Sequence, residues 1–416
     1  MMNYIHRQLE KRLLELAVHF PVIVLVGARQ VGKTTLLKTL FPSANYVVFD
    51  PTVDVEQARQ DPDLFLQNHS CPLILDEIQY APEVVAAIKR QIDRNRQPGQ
   101  FLLTGSQQWQ VMRNLTESLA GRAVILQLDG FSFREWQNAP DLRSGWLERW
   151  LHDPTGFTTG FRTSAAPPPV PLLEYLFRGS LPEAVTLPLE VLRDYHNSYL
   201  RTYVERDARS FAHVSDAQLF GRFHRLLAAL TAQEVNYAHL GREIGLSPNT
   251  AREWLSILQS TFQWFDTPAY HANLLKRVSS KPKGYFFDTG LACAAQFISS
   301  PEALASHPLL AALFETSLVS EVRKQSETLS VPPQLFHWRA HSGAEVDLLL
   351  ERDGKLFPLE IKMTTNPSGY DVRPMTTLRK TLPAGTVAPG LLMCCIAEPR
   401  RLNDEGDMAI PWHAHG

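Results

Sequence analysis

A phosphate-binding pattern stands near the start of the chain, in VIVLVGARQVGKTTLLKTL at residues 22–40. Gly27, Gly32, Lys33 and Thr34 fit the spacing G-x-x-x-x-G-K-[ST]. Glycines let backbone N–H groups curve around phosphate oxygens, the lysine neutralises the β and γ phosphates, and the threonine hydroxyl reaches Mg²⁺. The sequence therefore predicts a site for ATP with Mg²⁺. Its residues are Gly27, Ala28, Arg29, Gln30, Val31, Gly32, Lys33, Thr34 and Thr35, joined by Asp76.

Two carboxylates end a second apolar strand, in the stretch CPLILDEIQ. We expect Asp76 to hold Mg²⁺ through water and Glu77 to polarise the attacking water. A further strand, FLLTGSQ, ends with Thr104, Gly105 and Ser106, and a small polar residue there, with Ser106 as the candidate, is predicted to hydrogen-bond the γ-phosphate or the water. An ordinary turn at a strand end has the same composition. With Lys33, these residues predict hydrolysis of the bound nucleotide.

Arg122, in SLAGRAVILQL, is the candidate cation for stabilising negative charge in the transition state. It can act in its own subunit or in a neighbouring one. The alternative is a salt bridge at a junction between a helix and a strand, and the sequence does not choose between the two.

Charged residues interrupt apolar strands near the other end of the chain. Asp347 lies within AEVDLLLE, and Glu360 and Lys362 follow in LFPLEIKM. Residues two apart in an extended segment project from one face, so Glu360 and Lys362 are predicted to lie together beside Asp347. Carboxylates and a lysine in this arrangement can bind Mg²⁺ and activate water for attack on a phosphodiester, with Glu315 completing the metal shell. The alternative is an edge strand with solvated charges, and Met363 stands where a small polar residue is expected.

A helix-turn-helix pattern occupies residues 237–259, YAHLGREIGLSPNTAREWLSILQ. Its second helix is predicted to offer Asn249, Thr250 and Arg252 to a DNA groove. A basic hairpin follows and completes a winged-helix layout with a cationic wing for phosphates. The wing cations are Lys276, Arg277, Lys281 and Lys283. The alternative is a module that serves packing or subunit contact, with solvated cations.

The elements that must position these residues begin with apolar runs separated by helix-length segments, which predict a mainly parallel α/β sheet. The predicted strands are 22–26, 46–49, 73–75, 101–103 and 123–128, and later 335–339, 345–351 and 356–362. The predicted organisation is a P-loop ATPase domain over 1–137, a Pro-rich loop or linker over 138–171, a helical and winged-helix domain over 172–300, and an α/β nuclease-like domain over 301–416.

The bulk composition fits a soluble globular protein. The chain has 416 residues and a formal net charge of −2, which gives no global sign of nucleic-acid binding. Four cysteines without C-x-x-C spacing, a charged first segment and the lack of any apolar run of about 20 residues predict a cytoplasmic protein without membrane contact.

The order of several motifs resembles one family over nearly the whole chain. GARQVGKTTLL, LILDEIQ, LLTGSQ, SLAGRAVILQL with FSFREW, RGSLPEAV, YLRTYVERDAR, KGYFFDTGLA and GAEVDLLLE…LEIK resemble bacterial and archaeal AAA-type ATP-binding proteins with a C-terminal domain of unknown function. The resemblance implies an ATPase that forms rings or clusters, hence a homo-oligomer. Asp347 followed by Glu360-x-Lys362 resembles the PD-(D/E)XK nuclease core. The departure lies at 138–171, which is longer and richer in proline than expected.

The leading hypothesis is an ATP-hydrolysing protein that acts on double-stranded DNA, with a C-terminal domain that cuts or grips it. The rival is a nucleotide-driven switch whose nuclease-like domain is inactive and binds a protein partner.

Overall fold

The structure is a computed structural model that describes residues 4–50, 55–106, 119–138, 145–161, 168, 170–202, 216–273, 277 and 280–414. Two compact units are present. The first comprises Met1–Phe131, Leu181–Glu183 and Leu258–Gln263, and the second the rest of the chain. Within the described residues, no helix is both long and apolar enough to cross a membrane.

The strands are β1 Val22–Val26, β2 Asn45–Val48, β3 Leu73–Asp76, β4 Phe101–Gly105, β5 Ala123–Gln127, β6 Gln233–Glu234, β7 Trp264–Thr267, β8 Lys283–Phe286, β9 Gln334–Arg339, β10 Glu345–Arg352, β11 Lys355–Lys362, β12 Leu391–Cys394, β13 Arg400–Arg401 and β14 Met408–Pro411. The helices are α1 Leu9–Ala17, α2 Lys33–Leu40, α3 Glu56–Gln60, α4 Pro62–Gln67, α5 Glu83–Arg94, α6 Phe133–Trp136, α7 Trp146–His152, α8 Pro154–Gly160, α9 Leu172–Arg178, α10 Pro182–Thr186, α11 Leu189–Thr202, α12 Ala217–Ala229, α13 Tyr237–Ile244, α14 Pro248–Ser260, α15 Thr289–Ala295, α16 Pro301–Ala305, α17 Leu310–Glu327 and α18 Arg373–Thr381.

A five-stranded parallel sheet forms the core of the first unit, in the order β2-β3-β4-β1-β5. Every residue of β1, β3 and β4 is buried, as expected for parallel strands covered on both faces. The prediction of a mainly parallel sheet is confirmed. Because β3, β4 and β1 are neighbours, their carboxyl ends meet at one edge, where ligands bind in open α/β sheets.

A mixed six-stranded sheet of the second unit has the order β13-β14-β12-β11-β10-β9. The strands β9, β10 and β11 form an antiparallel meander, and β12 pairs with β11 in parallel after the crossover through α18. The helix α17 precedes the meander and contacts β11. This order places residues of α17, β10 and β11 close to one another.

A small three-stranded sheet, β6-β8-β7, also belongs to the second unit. The strand β8 is central and pairs antiparallel with both neighbours. The helices α13 and α14 lie between β6 and β7 in the chain. A turn at Gly245, in the left-handed region at φ 76°, ends α13.

The prediction of a loop or linker over 138–171 is wrong for residues 146–160. The helices α7 and α8 occupy this stretch, and Trp146 and Trp150 are fully buried. The indole Nε1 of Trp150 donates a hydrogen bond to the carbonyl of Pro389 at 3.0 Å. The apolar spacing of GWLERWLH outweighs the surrounding prolines and glycines. Residues 139–144, 162–167 and 169 lie outside the described part.

Candidate functional site

The phosphate-binding loop joins the carboxyl end of β1 to the start of α2. Gly27 has φ 153°, and a Cβ there would come within 2.1 Å of the Leu128 carbonyl oxygen. Gly32 has φ 94° and directly precedes α2. Both glycines are therefore needed for the path of the backbone around a phosphate. Within the loop, Ala28 and Val31 are buried, Arg29 is half-buried, and Gln30 and Thr35 are exposed.

Lys33 is buried at the first position of α2. Its Nζ donates hydrogen bonds to the carbonyl oxygens of Gly27 at 3.0 Å and Ala28 at 2.8 Å. Burial lowers the pKa of Lys33, although the nearby carboxylates of Glu77 and Asp76 favour its charged form. An anionic phosphate would relieve this cost, because it supplies a countercharge that carbonyl dipoles do not.

Three hydroxyl groups surround the carboxylate of Asp76 at the end of β3. Thr34 Oγ1 donates to Asp76 Oδ2 at 2.7 Å, and Tyr46 OH donates to the same oxygen at 2.8 Å. Thr104 Oγ1 donates to Oδ1. Burial and the hydrogen bond to Asp76 raise the pKa of Tyr46. Oxygen ligands of this kind suit Mg²⁺, so Thr34 and Asp76 fit the predicted metal position.

Glu77 has the left-handed φ of 57° and turns its side chain toward the end of β4. Its Oε2 accepts hydrogen bonds from Gln79 Nε2 at 2.5 Å and from the Ser106 N–H at 3.2 Å. Burial acts to raise the pKa of Glu77, but Lys33 and the hydrogen bonds outweigh it and the net shift is downward. The carboxylate is therefore ionised and oriented, as a general base must be. Gln79 Nε2 also donates to Ser106 Oγ at 3.2 Å, which places Ser106 in the same group.

Sequence reasoning missed two residues of this site, Arg7 and Tyr46, and did not predict the contact of Thr104 with Asp76. Tyr46 and Thr104 orient Asp76 from neighbouring strands. Arg7 supports the back of the loop, donating to the carbonyl of Val31 at 2.8 Å and to that of Asp129 at 2.7 Å. Thr104 was identified in the sequence as a small polar residue at the end of a strand, but its partner was not. Arg7 and Tyr46 carry no local signal.

Arg122 lies near the amino ends of the strands, whereas the phosphate-binding loop lies at their carboxyl ends. It precedes β5, which runs parallel to β1 with Ala123 beside Val22. The phosphate-binding loop follows Val26, which is four residue steps, about 13 Å, along β1 from Val22. Arg122 instead binds Asp93 of α5, with Nε 2.7 Å and Nη2 2.6 Å from Oδ1. The salt bridge that the sequence left open as the alternative is therefore present, Arg122 is not placed to act on the nucleotide of its own chain, and action in a neighbouring subunit stays a prediction.

Three acidic residues of the second unit, Glu315, Glu345 and Asp347, lie close together around the ammonium group of a lysine. Nζ of Lys283 lies 2.7 Å from Glu315 Oε1, 2.9 Å from Glu345 Oε1 and 3.3 Å from Asp347 Oδ1. We call Lys283, Glu315, Glu345, Asp347 and Glu360 the acidic cluster.

Burial and neighbouring charges shift the pKa values of Lys283, Glu315 and Glu360 in the acidic cluster. Burial acts to lower the pKa of Lys283, but Tyr285 and the three acids around it reverse the sign and raise it. Burial, with the charge of Asp347, raises the pKa of Glu315 to about 8. Burial and the hydrogen bond to Asp347 likewise raise the pKa of Glu360. Burial and Asp347 thus act against ionisation of Glu315 and Glu360, whereas the ammonium group of Lys283 favours their ionised forms.

The predicted metal site is not assembled as such. In the described parts of the chain, no group of three or more His, Cys, Asp or Glu side chains is arranged to hold a metal ion. Glu315, Asp347 and Glu360 are close together, yet an ammonium group lies among the acids. Lys362 donates to the Asp371 carbonyl at 3.2 Å. The assignment of Glu315, Asp347 and Glu360 as metal ligands is wrong for this arrangement.

The predicted DNA contacts divide into two groups. Asn249 and Arg252 are exposed on α14, Thr250 is half-buried, and the Arg252 guanidinium lies 4.9 Å from the Tyr237 ring centre. Lys281 is also exposed.

The second group of predicted wing cations faces inward. Lys283 is 4% exposed and held by acids, so its assignment to an exposed wing is wrong. Arg277 binds Glu351 at 2.7 Å and lies over the ring of Tyr270, so it is already paired. Lys276 lies outside the described residues.

Three family models match successive parts of the chain. Residues 19–137 match a family described as an AAA domain. Residues 171–302 and 310–414 match two domains of unknown function, DUF8612 and DUF4143.

Two curated relatives, both described as uncharacterized proteins, match most of the chain. They are Mb2031c of Mycobacterium bovis and Rv2008c of Mycobacterium tuberculosis. Each is 31% identical over 351 residues, which cover 84% of this chain and 71% of the relative. Among solved structures, a Walker-type ATPase of Pyrococcus abyssi is similar with a TM-score of 0.43 and 16% identity, over 70% of this chain and 96% of that chain. A TM-score below 0.5 does not establish a shared fold.

Proposed function

This chain belongs to the same family as the mycobacterial proteins Mb2031c and Rv2008c, and we propose that it binds ATP with Mg²⁺, hydrolyses it, and acts on DNA. Residues 19–137 form an AAA-type P-loop ATPase domain. The observation that carries the proposal is the convergence of Lys33, Asp76 and Glu77 at the carboxyl edge of the parallel sheet.

Each residue of this edge has a role that follows from its contacts. Lys33 exchanges its carbonyl partners for the β and γ phosphates. Thr34 and Asp76 would hold Mg²⁺, which would supply positive charge to the phosphates. Glu77, ionised and fixed by Gln79, accepts a proton from the attacking water at its carboxylate.

The DNA part of the proposal is supported by the exposed face of α14. A helix-turn-helix followed by two antiparallel strands is the element order of a winged helix. A Cβ at Gly241 would come within 2.5 Å of the Leu246 carbonyl oxygen, so α13 and the turn pack too closely for a side chain. Asn249 and Arg252 are exposed on α14, from where such side chains can reach base edges or phosphates.

The C-terminal part is proposed to be nuclease-like in fold. The order α17-β9-β10-β11-α18-β12 is that of an αβββαβ core, with acids on α17, β10 and β11. The divalent cation that such a core implies does not fit here, because Lys283 lies among the acids. This observation favours a second candidate function, a nucleotide-driven switch whose C-terminal domain binds a protein partner and does not cut.

Hydrolysis and DNA binding test the proposal. We expect purified protein to release phosphate from ATP, and Glu77→Gln to reduce turnover on the order of 100-fold while ATP binding persists. Fluorescence anisotropy with labelled duplex DNA should show weaker binding by Arg252→Ala than by wild type. Arg193→Ala, which removes an exposed arginine of α11, is the matched control. Hydrolysis without any DNA binding would leave the switch as the function.

A further inference from the structure

A buried ammonium group stands where a divalent cation would be expected between the acids of α17 and β10. We propose that the ammonium group of Lys283 occupies the acidic cluster in place of a metal ion. Its ion pairs also connect β8 to the six-stranded sheet. That the ion replaced is a divalent cation rests on the proposed nuclease-like fold. The contacts of Lys283 do not depend on it.

The backbone of Lys283 is fixed from both sides. It is the first residue of the central strand β8, paired with Glu234 of β6 and Thr267 of β7. Thr267 Oγ1 also donates to the Lys283 carbonyl at 3.3 Å. A lysine anchored in this way and 4% exposed is not a surface side chain that folds inward by chance.

The hydrogen-bonding capacity of Lys283 is fully used. An ammonium group has three N–H donors, and three carboxylates lie within 3.3 Å of Nζ. One oxygen of Asp347 faces the ammonium, while the other accepts a hydrogen bond from the Ile361 N–H at 3.0 Å. Both oxygens of Asp347, and one oxygen each of Glu315 and Glu345, are therefore already engaged.

A divalent cation beside Lys283 would be repelled. Mg²⁺ requires oxygen ligands at about 2.0–2.1 Å in octahedral geometry. Two positive charges a few ångströms apart in a buried site interact unfavourably, because little solvent screens them. The metal can bind only if the Lys283 side chain turns away, and its ion pairs with three acids oppose that movement.

A second contact fastens the same region. Arg277 binds Glu351 of β10 at 2.7 Å and lies over the rings of Tyr270 and Phe336, at 4.4 and 5.0 Å from their centres. Arg277, which lies between β7 and β8 in the chain, and Lys283 of β8 thus both bind acids of the six-stranded sheet. Both contacts are therefore structural, because they connect the region of β8 to the six-stranded sheet.

The first test measures Mn²⁺ binding to the full-length protein without nucleotide or DNA, by electron paramagnetic resonance of free Mn²⁺. We expect Lys283→Met to bind Mn²⁺ at least tenfold more tightly than wild type, and the added change Asp347→Asn to remove that site. Lys281→Met is the matched control, because this exposed lysine lies two residues away and its loss alters the net charge equally. A wild-type Mn²⁺ site that Asp347→Asn removes would overturn the proposal, as would a folded Lys283→Met protein with no gained site.

The second test uses only wild-type protein and therefore does not depend on how the variant folds. An amine-acetylating reagent, read by peptide mass spectrometry, should modify Lys281 and leave Lys283 protected with or without 5 mM Mn²⁺, a concentration on the order of extracellular divalent-cation affinities. Modification of Lys283 that appears on adding Mn²⁺ would mean that metal displaces the lysine, and the proposal would be wrong. Neither test involves ATP or DNA, so failure of the proposed function leaves its result intact.

Discussion

Two buried lysines, Lys33 and Lys283, lie near carboxylates in this molecule and differ in what their ammonium groups touch. Nζ of Lys33 donates to two backbone carbonyls of its own loop. Nζ of Lys283 contacts three carboxylates from other elements. Their pKa values move in opposite directions, downward for Lys33 and upward for Lys283.

The difference separates a ligand-binding lysine from a structural one. Carbonyl dipoles satisfy hydrogen bonds without cancelling charge, so Lys33 gains when a phosphate arrives. Carboxylates cancel the charge of Lys283, so neither an anion nor a metal improves its surroundings. Burial alone does not distinguish the two roles, whereas the chemical type of the partner does.

Lys33→Ala should produce the largest effect and test the ligand-binding side of the comparison. We expect the rate of ATP hydrolysis to fall on the order of 1000-fold, about 4 kcal/mol of transition-state stabilisation. The unfolding free energy should change by less than about 1 kcal/mol, since only carbonyl partners are lost. Phosphate release and thermal unfolding measure the two effects, with Lys11→Ala on the exposed face of α1 as control. Unchanged turnover would remove Lys33 from the site.

Lys283→Met should have the opposite effects, a large loss of unfolding free energy and little change in the rate of ATP hydrolysis. Removing one partner of a buried ion pair leaves uncompensated acids and typically costs about 3 kcal/mol or more. Lys281→Met should stay within about 0.5 kcal/mol of wild type, as expected for a surface substitution. Urea unfolding followed by tryptophan fluorescence measures both. Equal stability of the two variants would mean that Lys283 is not a structural lysine.

The parallel sheet and the nucleotide edge could be predicted from sequence because their signals are local. A run such as VIVLV, a glycine loop and a helical pattern lie within 19 residues, and Asp76 and Glu77 directly end a strand. The partners Tyr46 and Thr104 belong to other strands. They meet Asp76 only because the strand order brings β2 and β4 beside β3.

Sequence reasoning predicted three of the four acids of the acidic cluster, Glu315, Asp347 and Glu360, but missed Glu345 and the lysine at the centre. Alternation along β10 and β11 identified Asp347 and Glu360, which share a region through strand pairing. Lys283 was misassigned because a lysine after a proline in a basic hairpin usually lies in solvent. The signal against that was its position at the head of the apolar strand KGYF, all four residues of which are buried. In the same way, the prolines around residues 146–160 hid a helical apolar spacing.

His337 gives a smaller, pH-dependent test of the charge at Lys283. Burial, with the charge of Lys283, lowers the pKa of His337 to about 4. The unfolded value is about 6.5, so its contribution to stability is present above pH 6.5 and is lost as pH falls through 4. Lowering the pKa from about 6.5 to about 4 corresponds to a loss of about 3 kcal/mol, and His337→Phe should remove it. In Lys283→Met the pKa of His337 should rise and this loss should shrink. Thermal unfolding at pH 4, 5, 6 and 7 measures it, and parallel curves for wild type and His337→Phe would contradict it.

Arg122 should show the smallest effect, because it is paired like Lys283 but near the surface. Its partner Asp93 has a side chain that is 45% exposed, and such pairs contribute less than about 1 kcal/mol. A double-mutant cycle of Arg122→Ala and Asp93→Ala should give a coupling energy below that value. Turnover per molecule in dilute protein should match wild type, because Arg122 lies at the far edge of its own sheet. If turnover of wild type rises with protein concentration while that of Arg122→Ala does not, Arg122 serves a neighbouring subunit, and its contact with Asp93 belongs to the unassembled chain.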